Sequence, residues 1–125
     1  MSVAISPAQA LRLLHDLSFS LVGDAKYEAA PDFTLRQLAI LLAIYIDQPP
    51  HTVRGLARSL GVTKPVVSRA LDALGRYGLT GRRRDDRDLR NVIVQRTVKG
   101  ALYVETLGDA VVAKALALKL PEAFE

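Results

Sequence analysis

The chain has 125 residues, of which half are apolar and none is cysteine, and its net charge is +4. This length and composition suit one compact domain with its own core, so we expect residues 1–125 to form a single domain. The lack of cysteine excludes disulfides, thiolate metal sites and thiol nucleophiles. No apolar run is long enough to span a bilayer, and the first residues lack a secretory signal. We therefore expect a cytoplasmic protein.

The first predicted helix covers residues 5–22. Ser6 and Pro7 form an N-cap and first-turn pair, and Gly23 and Asp24 end the helix. Leucines at helical spacing form its apolar stripe, namely Leu11, Leu14, Leu17 and Leu21. The stripe indicates a helix that packs on one side.

A second helix is predicted after Thr34. Thr34 and Gln37 fit a capping box, and the helix ends before Pro49 and Pro50. Between these signals the sequence is apolar on nearly every side of a helix, as in LLAIYI. This pattern predicts that the second helix is central in the fold.

Residues 52–77 predict a helix-turn-helix. Leu56, Ala57 and Leu60 give a short apolar face, and Gly61 ends the first of the two helices. Thr63 is placed to cap the second helix, which tolerates a proline in its first turn. The inward residues of that helix follow i, i+3, i+4 and i+7 spacing, namely Val67, Ala70, Leu71 and Leu74. Two helices that meet across a tight turn favour DNA binding.

The outward residues of this second helix are candidate DNA contacts. Arg69 can reach guanine O6 and N7 or a phosphate, Ser68 can bond a base edge or a phosphate, and Lys64 can neutralise a phosphate. Pro65 and Val66 can contact a thymine methyl group, although simple exposure or partial burial near a helix start explains them equally well. The predicted DNA-binding set in this region is Thr63, Lys64, Pro65, Val66, Ser68, Arg69 and Arg76.

Residues 79–96 predict a wing, which is a hairpin of two strands. NVIVQR has the alternation of a strand, and TGRRRDDRDLR, at 80–90, holds five arginines and three aspartates. Arginines at the tip of a wing can enter the minor groove. We expect Asp88 to pair with Arg90 or another wing arginine, and Asp85 and Asp86 to support the turn. The predicted DNA-binding set in the wing is Arg82, Arg83, Arg84, Arg87, Asp88 and Arg90; a solvated loop is the alternative.

The positive charge is concentrated in the middle of the chain. Residues 52–100 carry twelve Lys and Arg against four Asp, a net charge of +8, whereas the remaining residues carry five basic against nine acidic groups, a net charge of −4. Such a basic segment is typical of a polyanion-binding surface, since Lys and Arg contacts to phosphates release counterions. A merely solvated charged face is the alternative.

The last predicted helix covers residues 98–118. Its apolar residues occupy more of the circumference than one buried stripe requires, so we expect a partner subunit to cover part of it. We call the second helix of the helix-turn-helix the recognition helix. A dimer would place two recognition helices about one turn of DNA apart on a pseudo-palindrome. The alternative is that this helix is central within the monomer.

Catalytic and metal sites are disfavoured. His15 and His51 are the only histidines, and neither has a metal-ligand partner three or four residues away. His51 follows two prolines in a predicted loop. The glycines are scattered, so no phosphate-binding glycine loop occurs. We expect no enzymatic activity, no cofactor and no metal.

The segment from Thr34 to about Gly100 resembles the MarR family of bacterial transcription regulators, through LGVTKPVVSRALDALGRYGL and the wing residues Asp88, Arg90, Thr97 and Gly100. The resemblance implies a mainly α fold with a small β-hairpin wing (α+β), a DNA-binding core over 34–100, and terminal helices at 5–22 and 98–118 that pack as a dimerisation region. It implies that Ser68 and Arg69 read or clamp the major groove, that Arg90 works in the wing and that Asp88 holds it. Arg96 departs from the family, which usually has an apolar residue there.

The resulting hypothesis is a sequence-specific, double-stranded DNA-binding regulator of MarR type. It would be a homodimer that represses or activates from a pseudo-palindromic operator, and it would therefore be nucleoid-associated within the cytoplasm. The resemblance also implies a small-molecule effector, for which Leu14, Tyr45 and Tyr103 could line a cavity, although core packing explains them as well. The alternatives are a winged-helix module that docks an acidic protein and a DNA-binding factor in replication or partition.

Overall fold

The computed structural model describes residues 4–22 and 31–118. These ranges form five helices and three short strands: α1 (Pro7–Val22), α2 (Leu35–Ile46), β1 (His51–Thr52), α3 (Val53–Leu60), α4 (Lys64–Arg76), β2 (Thr80–Arg84), β3 (Val92–Arg96) and α5 (Val98–Leu116). The predicted fold class, mainly α with a small β wing, is confirmed. The predicted end of the first helix at Gly23 and Asp24 lies outside the described residues.

The chain divides into two compact units. One unit runs from Phe33 to Glu105 and contains the helix-turn-helix and the wing. The other contains α1 together with α5 from Thr106 onward. The expectation of a single domain over 1–125 stays a prediction. Within the described ranges, none of the helices has both the length and the apolar character that a bilayer crossing demands.

Helix α2 forms the centre of the Phe33–Glu105 unit, as its sequence predicts. The capping box is present, because Gln37 N donates to Thr34 Oγ1 at 3.1 Å and Thr34 N donates to Gln37 Oε1 at 3.0 Å. The core cluster takes residues from α2, α3, α4, β3 and the connection between α4 and β2: Ile40, Leu41, Ile44, Val53, Leu56, Ala57, Val67, Ala70, Leu71, Leu74, Leu79 and Val94. Burial of these aliphatic side chains is the main stabilising term of the unit.

The wing belongs to a three-stranded antiparallel sheet with the order β1-β3-β2. The hairpin pairs Arg82 with Val94 and Arg84 with Val92, as expected for a wing. The third strand was not predicted, and the expectation that His51 lies in a loop is wrong. His51 pairs with Val94 across β1 and β3, is buried, and its Nε2 lies 3.1 Å from the carbonyl oxygen of Asp47. A two-residue strand after two prolines leaves too short a pattern to detect.

Candidate nucleic-acid interface

The turn between α3 and α4 is built around Gly61. This residue caps α3 in the left-handed conformation, with φ 68°, which glycine adopts without a steric penalty. Its neighbour Val62 donates a backbone hydrogen bond to Ala57 O at 3.0 Å. Thr63 occupies the N-cap position of α4 as predicted, but its side chain makes no capping hydrogen bond. The Thr63 hydroxyl is therefore exposed and available to a ligand.

Helix α4 buries one side and exposes the other. Val67, Leu71 and Leu74 are completely buried, as their spacing predicts. We define the recognition face as the outward residues Lys64, Pro65, Ser68, Arg69, Asp72 and Arg76; Ser68 is half-buried and the others are exposed. Val66 is half-buried at the edge of this face. The face thus presents three cations beside small polar and apolar groups, which is the chemistry that reads and clamps DNA.

Asp72 is the one acidic residue on the recognition face, and sequence reasoning missed it. A side-chain nitrogen of Arg82, on β2, donates to its carboxylate. Arg82, predicted as a DNA contact, therefore has a partner within the protein. The pair neutralises a carboxylate that would repel phosphates, and it joins the wing to α4. The spacing of four residues from Ser68 to Asp72 was the available sequence signal, because it places both on one side of a helix.

Charged residues at the tip of the wing bind one another, as predicted. Arg90 Nε lies 3.0 Å from Asp88 Oδ1 and Arg90 NH2 lies 3.3 Å from Asp88 Oδ2, while the Arg90 backbone N donates to the same carboxylate at 3.1 Å. These bonds, and more weakly the charge of Arg54 on α3, hold the pKa of Asp88 below its usual value. Asp85 Oδ1 accepts from Arg87 N at 2.9 Å, an Asx-type bond that supports the turn.

Arg96 fixes the base of the wing. Its Nε donates to Ile44 O at 2.7 Å and its NH2 to Asp47 O at 2.9 Å, both at the C-terminal end of α2. Its guanidinium also lies 5.7 Å from the centre of the Tyr45 ring. The guanidinium binds carbonyls left free by the end of a helix. A side chain that departs from the usual apolar residue thus attaches β3 to α2 by hydrogen bonds.

A second set of hydrogen bonds attaches the wing and the start of α5 to the same helix. Tyr45 Oη donates to Leu79 O at 2.7 Å and accepts from Thr97 N at 2.9 Å. Thr97 Oγ1 donates to Gly78 O at 2.7 Å and accepts from Gly100 N at 2.9 Å. A Cβ on Gly100 would come within 1.9 Å of Tyr45 Oη, so only glycine fits. The glycine three residues after Thr97 therefore has a steric reason.

The predicted site residues fall into two groups. Three wing arginines have side-chain partners within the protein: Arg82 with Asp72, Arg84 with Leu89 O at 2.6 Å, and Arg90 with Asp88. Arg83 has only a long contact of 3.5 Å to Arg84 O. The side chains of Lys64, Arg69, Arg76 and Arg87 have no partner among the residues that the structure describes. Sequence reasoning left out three exposed arginines, Arg36, Arg54 and Arg58, which make no hydrogen bond or ion pair with another described residue. The charge of Arg54 acts on Asp88 at a distance.

The three residues that could line an effector cavity have the following surroundings. Tyr45 makes the hydrogen bonds given above, and Tyr103 packs edge-on against Phe33 with ring centres 5.7 Å apart. Burial raises the pKa of Tyr103. Leu14, on α1, is exposed. Within the described ranges, no group of three or more His, Cys, Asp or Glu residues could hold a metal ion.

Comparison with known proteins places this interface in a family. The model of the MarR family matches residues 33–92, which include the recognition face and the tip of the wing. No curated protein matches the chain significantly.

Solved structures of similar fold cover most of the chain. The DNA complex of S. aureus MepR is 23% identical, covers 85% of this chain and 79% of its own, and has a TM-score of 0.64. A mutant of S. aureus MepR is 26% identical, with coverage of 94% and 86% and a TM-score of 0.62. The PcaV transcriptional regulator from Streptomyces coelicolor, in complex with its natural ligand, is 24% identical, with coverage of 91% and 78% and a TM-score of 0.61.

Proposed function

The chain belongs to the MarR family, and on that premise we propose that it is a transcriptional regulator that binds double-stranded DNA through the recognition face and the wing. The observation that carries the proposal is the set of cations without partners on α4, beside a wing that Arg82 ties to the same helix. The DNA complex of MepR, which shares this fold, supports the choice of ligand.

The two parts of the interface have different tasks. Helix α4 enters the major groove, where Ser68, Lys64 and Pro65 meet base edges and thymine methyl groups. The wing follows the backbone into the adjacent minor groove, where Arg90, oriented by Asp88, meets the negative potential. Arg83 and Arg87 add salt-dependent affinity, since their guanidiniums are exposed and have few or no partners.

We further propose that the protein acts as a homodimer on a pseudo-palindromic operator. Helix α1 buries none of its residues and leaves Phe19 and Val22 about 70% exposed, while Leu116 on α5 is 81% exposed. Apolar side chains in such number are more than an isolated chain normally leaves in water. A second copy that covers them would supply two recognition helices at a fixed spacing. A small-molecule effector and the direction of regulation stay predictions.

Fluorescence anisotropy with genomic duplexes at two salt concentrations tests the proposal. We expect Arg90→Ala to weaken binding to all duplexes alike, and Ser68→Ala to change the order of preference among duplexes.

Leu116→Glu should yield monomers in sedimentation analysis and weaken binding to paired half-sites. Binding to an acidic protein with no affinity for duplexes would instead support a protein-interaction module. Preference for replication or partition sequences over promoters would support the third hypothesis.

A further inference from the structure

A groove between α2 and α4 contains two arginines, Arg36 and Arg69. Only Arg69 belongs to the recognition face described above. The α2/α4 groove has a volume of about 200 Å³ and is lined by Thr34, Arg36, Gln37, Val66, Arg69 and Ala70. It lies within the Phe33–Glu105 unit. Arg36 comes from the first turn of α2 and Arg69 from the recognition face, so two elements supply one positively charged wall.

The two guanidiniums are the groups of the groove that can bind a ligand, because the other lining side chains are either hydrogen-bonded already or apolar. Thr34 and Gln37 use their side chains on each other's backbone in the capping box. Val66 and Ala70 are apolar. Arg36 and Arg69 are both exposed, and neither makes a hydrogen bond or ion pair with another described residue.

The positive charge of the groove favours an anion as its ligand. No carboxylate lines it, so nothing there offsets two guanidiniums or favours a cation. Guanidinium groups match the oxygens of a phosphate in pairs. The start of α2 adds the positive end of a helix dipole to the same wall.

We propose that Arg36 and Arg69 together bind one phosphate of the DNA backbone beside the recognition helix. This proposal rests on the proposed function, because α4 must enter the major groove for the α2/α4 groove to meet the flanking strand. It extends the interface to α2, which sequence reasoning left out. It also assigns Arg69 to a phosphate and leaves base reading to Ser68 and its neighbours.

The test is the salt dependence of duplex binding for Arg36→Ala, Arg69→Ala and the double variant. Each single variant should weaken binding but lower the slope of log affinity against log salt by less than one unit, because the remaining guanidinium still neutralises the phosphate. The double variant should lower the slope by about one unit and not by two, because both side chains serve one phosphate. The order of preference among duplexes should not change. Arg12→Ala is the matched control, since it removes an exposed guanidinium that pairs with Asp16 on α1; its slope should equal that of the wild type.

A second measurement separates the possible failures. Titration with inorganic phosphate, followed by NMR of the arginine Nε–Hε groups, should shift Arg36 and Arg69 together and saturably, and leave Arg12 unchanged. If the wild type binds duplexes but the double variant keeps the full slope, or loses about two units, the groove proposal is overturned and the proposed function stands. A change of duplex preference in Arg69→Ala would also overturn it. If the wild type binds no duplex, both proposals fail, and a saturable phosphate shift would then identify a site for free anions.

Discussion

The wing and the recognition helix carry similar positive charge but use it differently. In the wing, the side chains of Arg82, Arg84 and Arg90 are occupied by Asp72, Leu89 O and Asp88. On α4, the cations at 64, 69 and 76 have no partner among the described residues. The number of arginines in a segment therefore overstates the charge that it offers to DNA. Arg82 and Arg84 therefore fix the shape of the wing and Arg90 is held in place by Asp88, whereas the cations of α4 are left to bind.

The wing and α4 are both attached to the hydrogen-bond network around Tyr45. We therefore expect the largest effect from a substitution that disrupts this network. Gly100→Ala should destabilise the protein by about 3 kcal/mol or more, since its Cβ would overlap Tyr45 Oη and Leu79 O. Denaturant unfolding followed by circular dichroism measures this. Gly108→Ala is the matched control on the same helix, where nothing lies within 4 Å of the new Cβ, and it should be stabilising by about 0.5–1 kcal/mol. Equal stability of the two variants would contradict the close approach.

The attachment of the wing to α2 can be weakened without touching any predicted DNA contact. Arg96→Met keeps the length of the side chain but removes the donors to Ile44 O and Asp47 O. We expect a loss of about 2 kcal/mol in the free energy of unfolding, because hydrogen bonds from charged groups contribute about 1.5–3 kcal/mol. Arg87→Met, in the wing loop, is the control and should leave stability unchanged. A stable Arg96→Met would show that apolar packing alone holds β3.

The sequence predicted the parts that this network joins but not how they meet. Periodicity and capping residues identified α2, α4 and the hairpin, because those signals are local. The bonds from Arg96 to α2 join residues 49 and 52 positions apart, and no local pattern encodes such pairs. Arg82 and Asp72 are ten positions apart but lie on a strand and a helix, so no single periodicity relates them. The Asp88–Arg90 pair was predictable because the two residues are two positions apart. The same locality explains why a two-residue strand at His51 was missed.

The pair between Arg82 and Asp72 gives the sharpest contrast between the two regions. Arg82→Ala removes a cation and leaves a bare carboxylate on the recognition face, so we expect DNA affinity to fall about tenfold, or about 1.4 kcal/mol. Asp72→Asn removes the carboxylate and frees the guanidinium, so affinity should rise. Anisotropy at fixed salt measures both, and the double variant should lie between them. If Asp72→Asn weakens binding as much as Arg82→Ala, the pair acts mainly by positioning the wing.

The smallest effect is expected from lowering the pH, which acts on Asp88 at the tip of the wing. A carboxylate whose pKa is lowered in the folded protein keeps its pairing at all pH values above its ordinary pKa of 3.8, and loses it only as the pH falls through the lower folded value. The Asp88–Arg90 pair should therefore be unchanged between pH 8 and pH 5. A carboxyl ¹³C NMR titration should find the Asp88 midpoint below 3.8.

Removing Arg90 tests what holds that midpoint down. The bonds from Arg90 are the largest cause of the lowered pKa and the charge of Arg54 is a smaller one. Arg90→Ala removes the side-chain bonds but keeps the backbone N–H donor, so it should return the Asp88 midpoint part of the way to its ordinary value. Arg87→Ala, which removes a charge from the same loop without touching the pair, should leave the midpoint low. If Arg54→Ala raises the midpoint more than Arg90→Ala does, the tip is ordered by the field of α3 and not by its own pair. Asp88 would then not be the group that orients Arg90 toward DNA.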